Sequence, residues 1–167
     1  MTIKKAPPSD ANTITKIHIA SWQGAYRGII PDNILDNISF HIRETMWREG
    51  LEQGWNCFLF EEMGEVLGFV SYCPSRDADA DPHFTAEIAA IHIHPDHWRK
   101  GFGRLLYEKI LAEAKQAQFK ELTLWCLEEN YRARKFYENL GFVLTPAIKY
   151  EDMDGITLPE VRYRMAL

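Results

Sequence analysis

Hydrophobic positions recur first at helical spacing and then at spacing two. A short alternating segment, Thr2 to Ala6, stops at Pro7-Pro8, as suits an edge strand. Ser9 is placed to cap a helix opening Asp10-Ala11-Asn12. Its Ile14, Ile17, Ser21 and Ala25 share one stripe, and His18, Trp22 and Tyr26 form an adjacent one. Gly28 ends it. From Asp32 a second helical region is predicted, with Leu35, Ile38, Ile42 and Met46 as its buried side and Gly50 and Gly54 at its exit. Period two then takes over. Cys57 to Glu61 and Val66 to Cys73 read as a hairpin joined by Glu62-Met63-Gly64-Glu65. Ser75 to Pro82, rich in Asp, reads as a solvated loop, and a long strand runs from about Phe84 to His94.

The rest of the chain alternates between the two periods. Phe102, Leu105, Leu106, Ile110, Ala114 and Ala117 predict a helix after Gly101. Leu122 to Leu127 is a strand, Asn130 to Leu140 a short helix closed by Gly141, and Phe142 to Tyr150 a strand. Gly155 turns the chain into a last strand, Glu160 to Ala166. Hairpins followed by strand–helix–strand–helix–strand predict an α/β domain with a mixed sheet over residues 1–167.

Composition narrows the classes of function. With 46% hydrophobic and 26% charged residues, the 167-residue chain suits one soluble domain. A net charge of −5 argues against nucleic-acid binding through bulk positive charge. No apolar run approaches the roughly 20 residues that span a bilayer, and Met1 to Pro8 lacks the apolar core of a signal peptide, so no membrane partner is expected. Cys57, Cys73 and Cys126 are odd in number, scattered and flanked by apolar residues. They read as reduced core thiols of a cytoplasmic protein.

The chemistry is concentrated in His94-Pro95-Asp96-His97-Trp98-Arg99-Lys100-Gly101-Phe102-Gly103-Arg104, between a strand end and a helix start. Glycines there let main-chain N–H groups converge, and a new helix leaves its first amides unpaired with partial positive charge. Such a turn suits a phosphate or pyrophosphate. Two familiar phosphate loops fit poorly: no Ser or Thr follows a Gly-Lys pair, and Leu106 stands where a dinucleotide fingerprint needs a third glycine. His92, His94 and His97 suggest a metal, but no Cys or carboxylate completes a tetrahedron, and none is expected.

A second cluster, Asn130, Ala133, Phe136-Tyr137 and Gly141-Phe142, lies downstream. Together the two stretches resemble the GCN5-related N-acetyltransferase (GNAT) superfamily. Gly101-Phe102-Gly103 fill the glycine positions of its acyl-CoA signature, while Trp98 stands where that signature has Gln or Arg. The resemblance implies a mostly antiparallel sheet splayed between its fourth and fifth strands, flanked by about four helices, with acetyl-CoA in the gap. It assigns cofactor contacts to Ile91, His92 and Ile93 on the strand, to Arg99, Lys100, Gly101, Phe102, Gly103 and Arg104 in the loop, and to Asn130 and Ala133. The implied reaction is direct acetyl transfer to the amine of a small molecule or protein, with a homodimer as a further expectation. Trp22 and Tyr26 resemble the part of the family that walls the acceptor pocket; packing in the core is the other reading of that pair.

Two proton movements follow from the chemistry. An alkylamine must lose a proton before attack, and the departing thiolate must gain one. Tyr137 matches the family's proton donor. For the base, Glu87 is a carboxylate on a strand of Ile and Ala, sharing a face with Ala89, Ile91 and Ile93 if alternation is strict; it would otherwise lie at the strand's wet end or bind the acceptor's ammonium. His92, on the opposite face by the same count, is the alternative base. A non-catalytic acyl-CoA-binding module and a nucleotide- or phosphate-binding regulatory domain remain the competing readings.

Overall fold

The computed structural model describes residues 1–153 and 155–167. Its strands are β1 (Thr2–Lys5), β2 (Asn56–Glu62), β3 (Glu65–Pro74), β4 (Thr85–Ile93), β5 (Glu121–Leu127), β6 (Val143–Met153) and β7 (Ile156–Ala166). They form one sheet in the order β1-β2-β3-β4-β5-β7-β6. Helices α1 (Ala11–Tyr26), α2 (Asp32–Asp36), α3 (Phe40–Glu52), α4 (Phe102–Gln116) and α5 (Tyr131–Asn139) flank it.

Apolar clusters hold helices to the two faces of the sheet, and a smaller third one packs Leu35 of α2 with Ile30 and Leu127. Ile14, Ile17, Trp47 and Leu51 of α1 and α3 pack on Cys57, Leu59 and Phe69. On the opposite face Phe102, Leu106, Ile110 and Ala114 of α4 meet Phe60, Val70, Leu122 and Leu124. The alternation of β2 and β3 makes this possible, because successive residues serve opposite cores.

The second helical region is not one helix. Ser39 caps a new one, its Oγ accepting from the Ile42 amide at 3.3 Å, so the periodicity restarts there. Ile42 and Met46, expected inside, are therefore 69% and 38% exposed, and Trp47, Gly50 and Leu51 face the core instead. Gly50 is not an exit. It lies inside α3, and a Cβ there would come within 2.4 Å of the Trp55 ring. Gly54, with φ of +90°, is where the chain leaves.

Every strand pair is antiparallel except β4 with β5. That parallel pair holds only from Thr85↔Glu121 to Glu87↔Thr123, after which the strands part. The expected splay is present. A second irregularity lies on the other side of β4: Ser71 pairs with Ala90 and Tyr72 with Ile88, leaving Ala89 as an extra residue.

Candidate active site

The gap between β4 and β5 opens a cleft of about 940 Å³. It is lined from four directions: α1 gives His18, Ser21, Trp22 and Tyr26; β4 gives Ile91, His92 and Ile93; the β4–α4 loop gives Arg99, Gly101, Phe102, Gly103 and Arg104; and β5 with α5 gives Trp125, Cys126, Asn130, Ala133 and Tyr137. Thirteen of the fifteen residues singled out from the sequence line it: all but Lys100 and Glu87. Lys100 is exposed, its Nζ 3.2 Å from His97 Nδ1.

The bulge at Ala89 explains Glu87. An extra residue reverses the alternation, so Glu87, paired with Cys73, shares a face with Ala90 and His92, while Ile91 and Ile93 join Ile88 in the α4 core. The expectation that Glu87 sides with Ile91 and against His92 is thus corrected. Glu87 is buried, and Arg76 grips it: Nε at 3.2 Å and the main-chain amide at 3.3 Å donate to Oε2, and Nη2 donates to Oε1 at 2.5 Å. Arg76 is the member of the pair that lines the cleft.

His92 stands across from α1 with Nδ1 3.0 Å from Ser21 Oγ. Burial, then the nearby Arg43, push its pKa down to about 3, so the ring is neutral. Its neighbour His18, with ring centroids 4.6 Å apart, accepts from Trp47 Nε1 through Nδ1 at 3.0 Å. Burial, His92 and Arg43 hold His18 well below the usual range as well. His94, by contrast, sits in the following turn, Nδ1 3.6 Å from Asp96. Trp22 packs edge-on to Tyr26 at 5.2 Å and carries the Arg43 guanidinium 4.2 Å above its ring.

The loop after β4 fits an anion. Gly101 takes φ of +86° with open space where a Cβ would be, a conformation that disfavours other residues. The amides of Phe102 and Gly103 precede the first main-chain bonds of α4, which Arg104 and Leu105 make to the Gly101 carbonyl at 3.0 and 3.4 Å. Arg99, Arg104 and Arg132 line the cleft beside them, and Arg132 is held below its ordinary pKa by burial and by Arg99. Gly103 meets Phe136 of α5, where a Cβ would stand 3.3 Å from Cζ. On α5, Asn130 caps the helix by accepting from the Ala133 amide at 3.2 Å.

Tyr137 packs between Phe142 and Tyr163, with ring centroids 6.0 and 6.3 Å away. Burial, then Cys126 and Tyr26, raise its pKa well above that of a free phenol, so it carries its proton at neutral pH. Cys57, Cys73 and Cys126 are free thiols. Sequence reading missed Trp98: it fills the space over Gly24 and donates Nε1–H to the Ile93 carbonyl at 2.8 Å. It also missed Arg76, Arg132 and Glu160, which line the cleft from segments read only as loop, helix surface and strand.

The profile of the Acetyltransferase (GNAT) family matches residues 19–142, a stretch that contains the loop, the splay and Tyr137. The chain belongs to that family. YuaI of Bacillus subtilis, an uncharacterized N-acetyltransferase, is 30% identical over 78% of this chain and 73% of its own length. The L-methionine sulfoximine/L-methionine sulfone acetyltransferase of Salmonella typhimurium is 28% identical over 87% of this chain and 81% of its own. Among solved structures, yncA of Salmonella typhimurium with acetyl-CoA superposes with a TM-score of 0.73 at 23% identity, covering 99% of this chain and 93% of that one. The paia N-acetyltransferase of Thermoplasma acidophilum with coenzyme A gives 0.71 at 18%, covering both chains fully at 100%. At those identities the likeness speaks for the fold. This GNAT chain is an N-acetyltransferase. Among its described residues, no helix is long and apolar enough to cross a membrane.

Proposed function

We propose that this acetyltransferase moves the acetyl group directly onto a primary amine, with both substrates in the cleft at once. The observation that carries the reading is the meeting of the Gly101–Gly103 turn, Asn130 and Tyr137 around one cleft. The thioester supplies an activated acetyl group. The N-terminal amides of α4, flanked by Arg99, Arg104 and Arg132, hold the pyrophosphate, and Ile91, Ile93, Asn130 and Ala133 line the path of its arm. Tyr137 gives its phenolic proton to the departing sulfur as the C–S bond breaks and the C–N bond forms.

The amine must shed protons on the α1 side of β4. Neutral His92, steadied by Ser21, accepts a hydrogen bond from the amine and relays the proton to solvent, since a pKa of about 3 prevents it from keeping one. Glu87 acts through Arg76, whose guanidinium it fixes at the cleft wall. Trp22 and Tyr26 wall the acceptor. The Salmonella relative, named for two small amino-bearing molecules, supports a small-molecule acceptor over a protein.

A panel of amino acids, polyamines and lysine peptides, each incubated with acetyl-CoA and protein, tests the reading. Amine-dependent thiol release with a matching acetylated product is expected. Tight CoA binding without amine-dependent release would make the chain a binding module; displacement by ATP or NAD but not CoA would make it a nucleotide-binding domain.

A further inference from the structure

Glu160 is the one acidic side chain among the described residues that line the cleft; Arg76, Arg99, Arg104 and Arg132 are its guanidinium groups. It stands on β7 opposite Leu127 of β5, on the strand pair that forms the wall across from His92. Its carboxylate is 16% exposed and bonds one cation, Lys149 Nζ of β6, at 3.1 Å. That ammonium also lies 4.8 Å from the centre of the Trp125 ring. Carboxylate and indole face together form a seat for an alkylammonium, and a lysine of the chain already occupies it.

The seat adjoins the reacting end of the cleft. Glu160 pairs with Leu127, the residue after Cys126, and Cys126, Leu127, Tyr26 and Tyr137 line the same cleft. Lys149 is 39% exposed on an edge strand, so swinging outward costs only its contacts with Glu160 and Trp125, which the incoming ammonium replaces. The three cradle arginines sit with the anion-binding loop, and Arg76 is already neutralised by Glu87. The other charges at the indole cancel among themselves: Asp77, which accepts from Trp125 Nε1 at 2.9 Å, is paired with Arg162, whose guanidinium lies 5.5 Å from the ring centre, so among the residues lining the cleft Glu160 is the carboxylate an incoming ammonium meets.

We propose that Glu160 and the Trp125 indole are the ammonium entry subsite of the acceptor, where the still-protonated amine displaces the Lys149 side chain before it passes across the cleft to His92 and the thioester. The acceptor class is then a primary alkylammonium. This inference rests on the acetyltransferase reading for its role, although the binding itself does not need turnover.

The test uses n-butylamine as probe, with the full chain loaded with CoA for binding or acetyl-CoA for turnover. Glu160→Gln should raise the KM for n-butylamine by about tenfold or more, with a smaller change in kcat and unaltered CoA affinity. Lys149→Met should lower that KM, because the competing ammonium is gone. Titrating n-butylammonium against tryptophan emission should show binding to the wild type that Glu160→Gln loses. Equal KM and equal binding in wild type and Glu160→Gln would overturn the subsite. Glu160-dependent binding without any turnover would uphold the subsite and overturn the acetyltransfer reading instead.

Discussion

The Arg132 guanidinium lies 3.4 Å above the centre of the Trp98 ring. Trp98 occupies the position where the family's acyl-CoA signature has Gln or Arg, so the loop lacks the usual polar side chain there. The stack restores a cation from another element: α5 reaches across and parks Arg132 on the indole, beside Arg99 and the first turn of α4. Trp98 also ties the loop back to β4 through the Ile93 carbonyl. The departure in sequence is thus balanced by a contact between segments 34 residues apart.

The cradle depends on the close approach of α4 and α5 at Gly103. A Cβ there already meets Phe136 Cζ at 3.3 Å, and the two further methyls of valine must displace that ring or block the amides. Gly103→Val should weaken CoA binding by more than about tenfold, as read by calorimetry on a variant whose circular dichroism is native. Unchanged affinity in a folded variant would remove the loop from the CoA site.

Acid should unfold this protein early, for a reason located in the acceptor half of the cleft. His92 titrates near 6.5 when unfolded but is pushed down to about 3 when folded. Between those values the unfolded chain binds a proton that the folded one refuses, so stability is complete above about 6.5 and falls as pH drops through the window. His18 shifts in the same direction. The Tm of His92→Asn should therefore fall less between pH 7 and pH 5 than that of the wild type. Equal falls would mean that the imidazole is not what acid attacks.

The three thiols should be dispensable to the reaction. Burial, with Glu160 beside it, raises Cys126 to about 12, burial, with Asp10, does the same to Cys57, and burial raises Cys73 as well, so none of the three is poised as a thiolate at neutral pH. Cys126→Ala should keep near-native turnover with some loss of stability. Isolation of an acetylated cysteine by peptide mass mapping would replace direct transfer with a covalent route.

The order of elements was readable because apolar periodicity is strong in α1, α4 and β2–β5, where each residue has one core to face. Two failures share a cause. Ser39 restarts the helical phase before Ile42, and Ala89 reverses strand alternation before Glu87; each is a local break in register that composition does not mark. The loop and Tyr137 stand out in the sequence because they lie in contiguous motifs, and the fold brings both to the cleft. Arg76, Arg132 and Glu160 do not stand out, because what places them at the cleft is pairing between distant segments, with Glu87, Trp98 and Lys149.

Tyr137 carries the central claim, since one hydroxyl separates a proton donor from a packing residue. Substitution by Phe keeps the ring that packs against Phe142 and Tyr163. The decisive measurement is the single-turnover rate of acetyl transfer, by rapid quench, for wild type and Tyr137→Phe preloaded with acetyl-CoA. The account predicts a chemical step slowed by about 10²–10⁴ with CoA affinity unchanged, and no recovery at high pH because the defect lies at the departing thiolate. An equal rate in the two proteins would contradict it, leaving Tyr137 as part of the α5 packing and the proton to water.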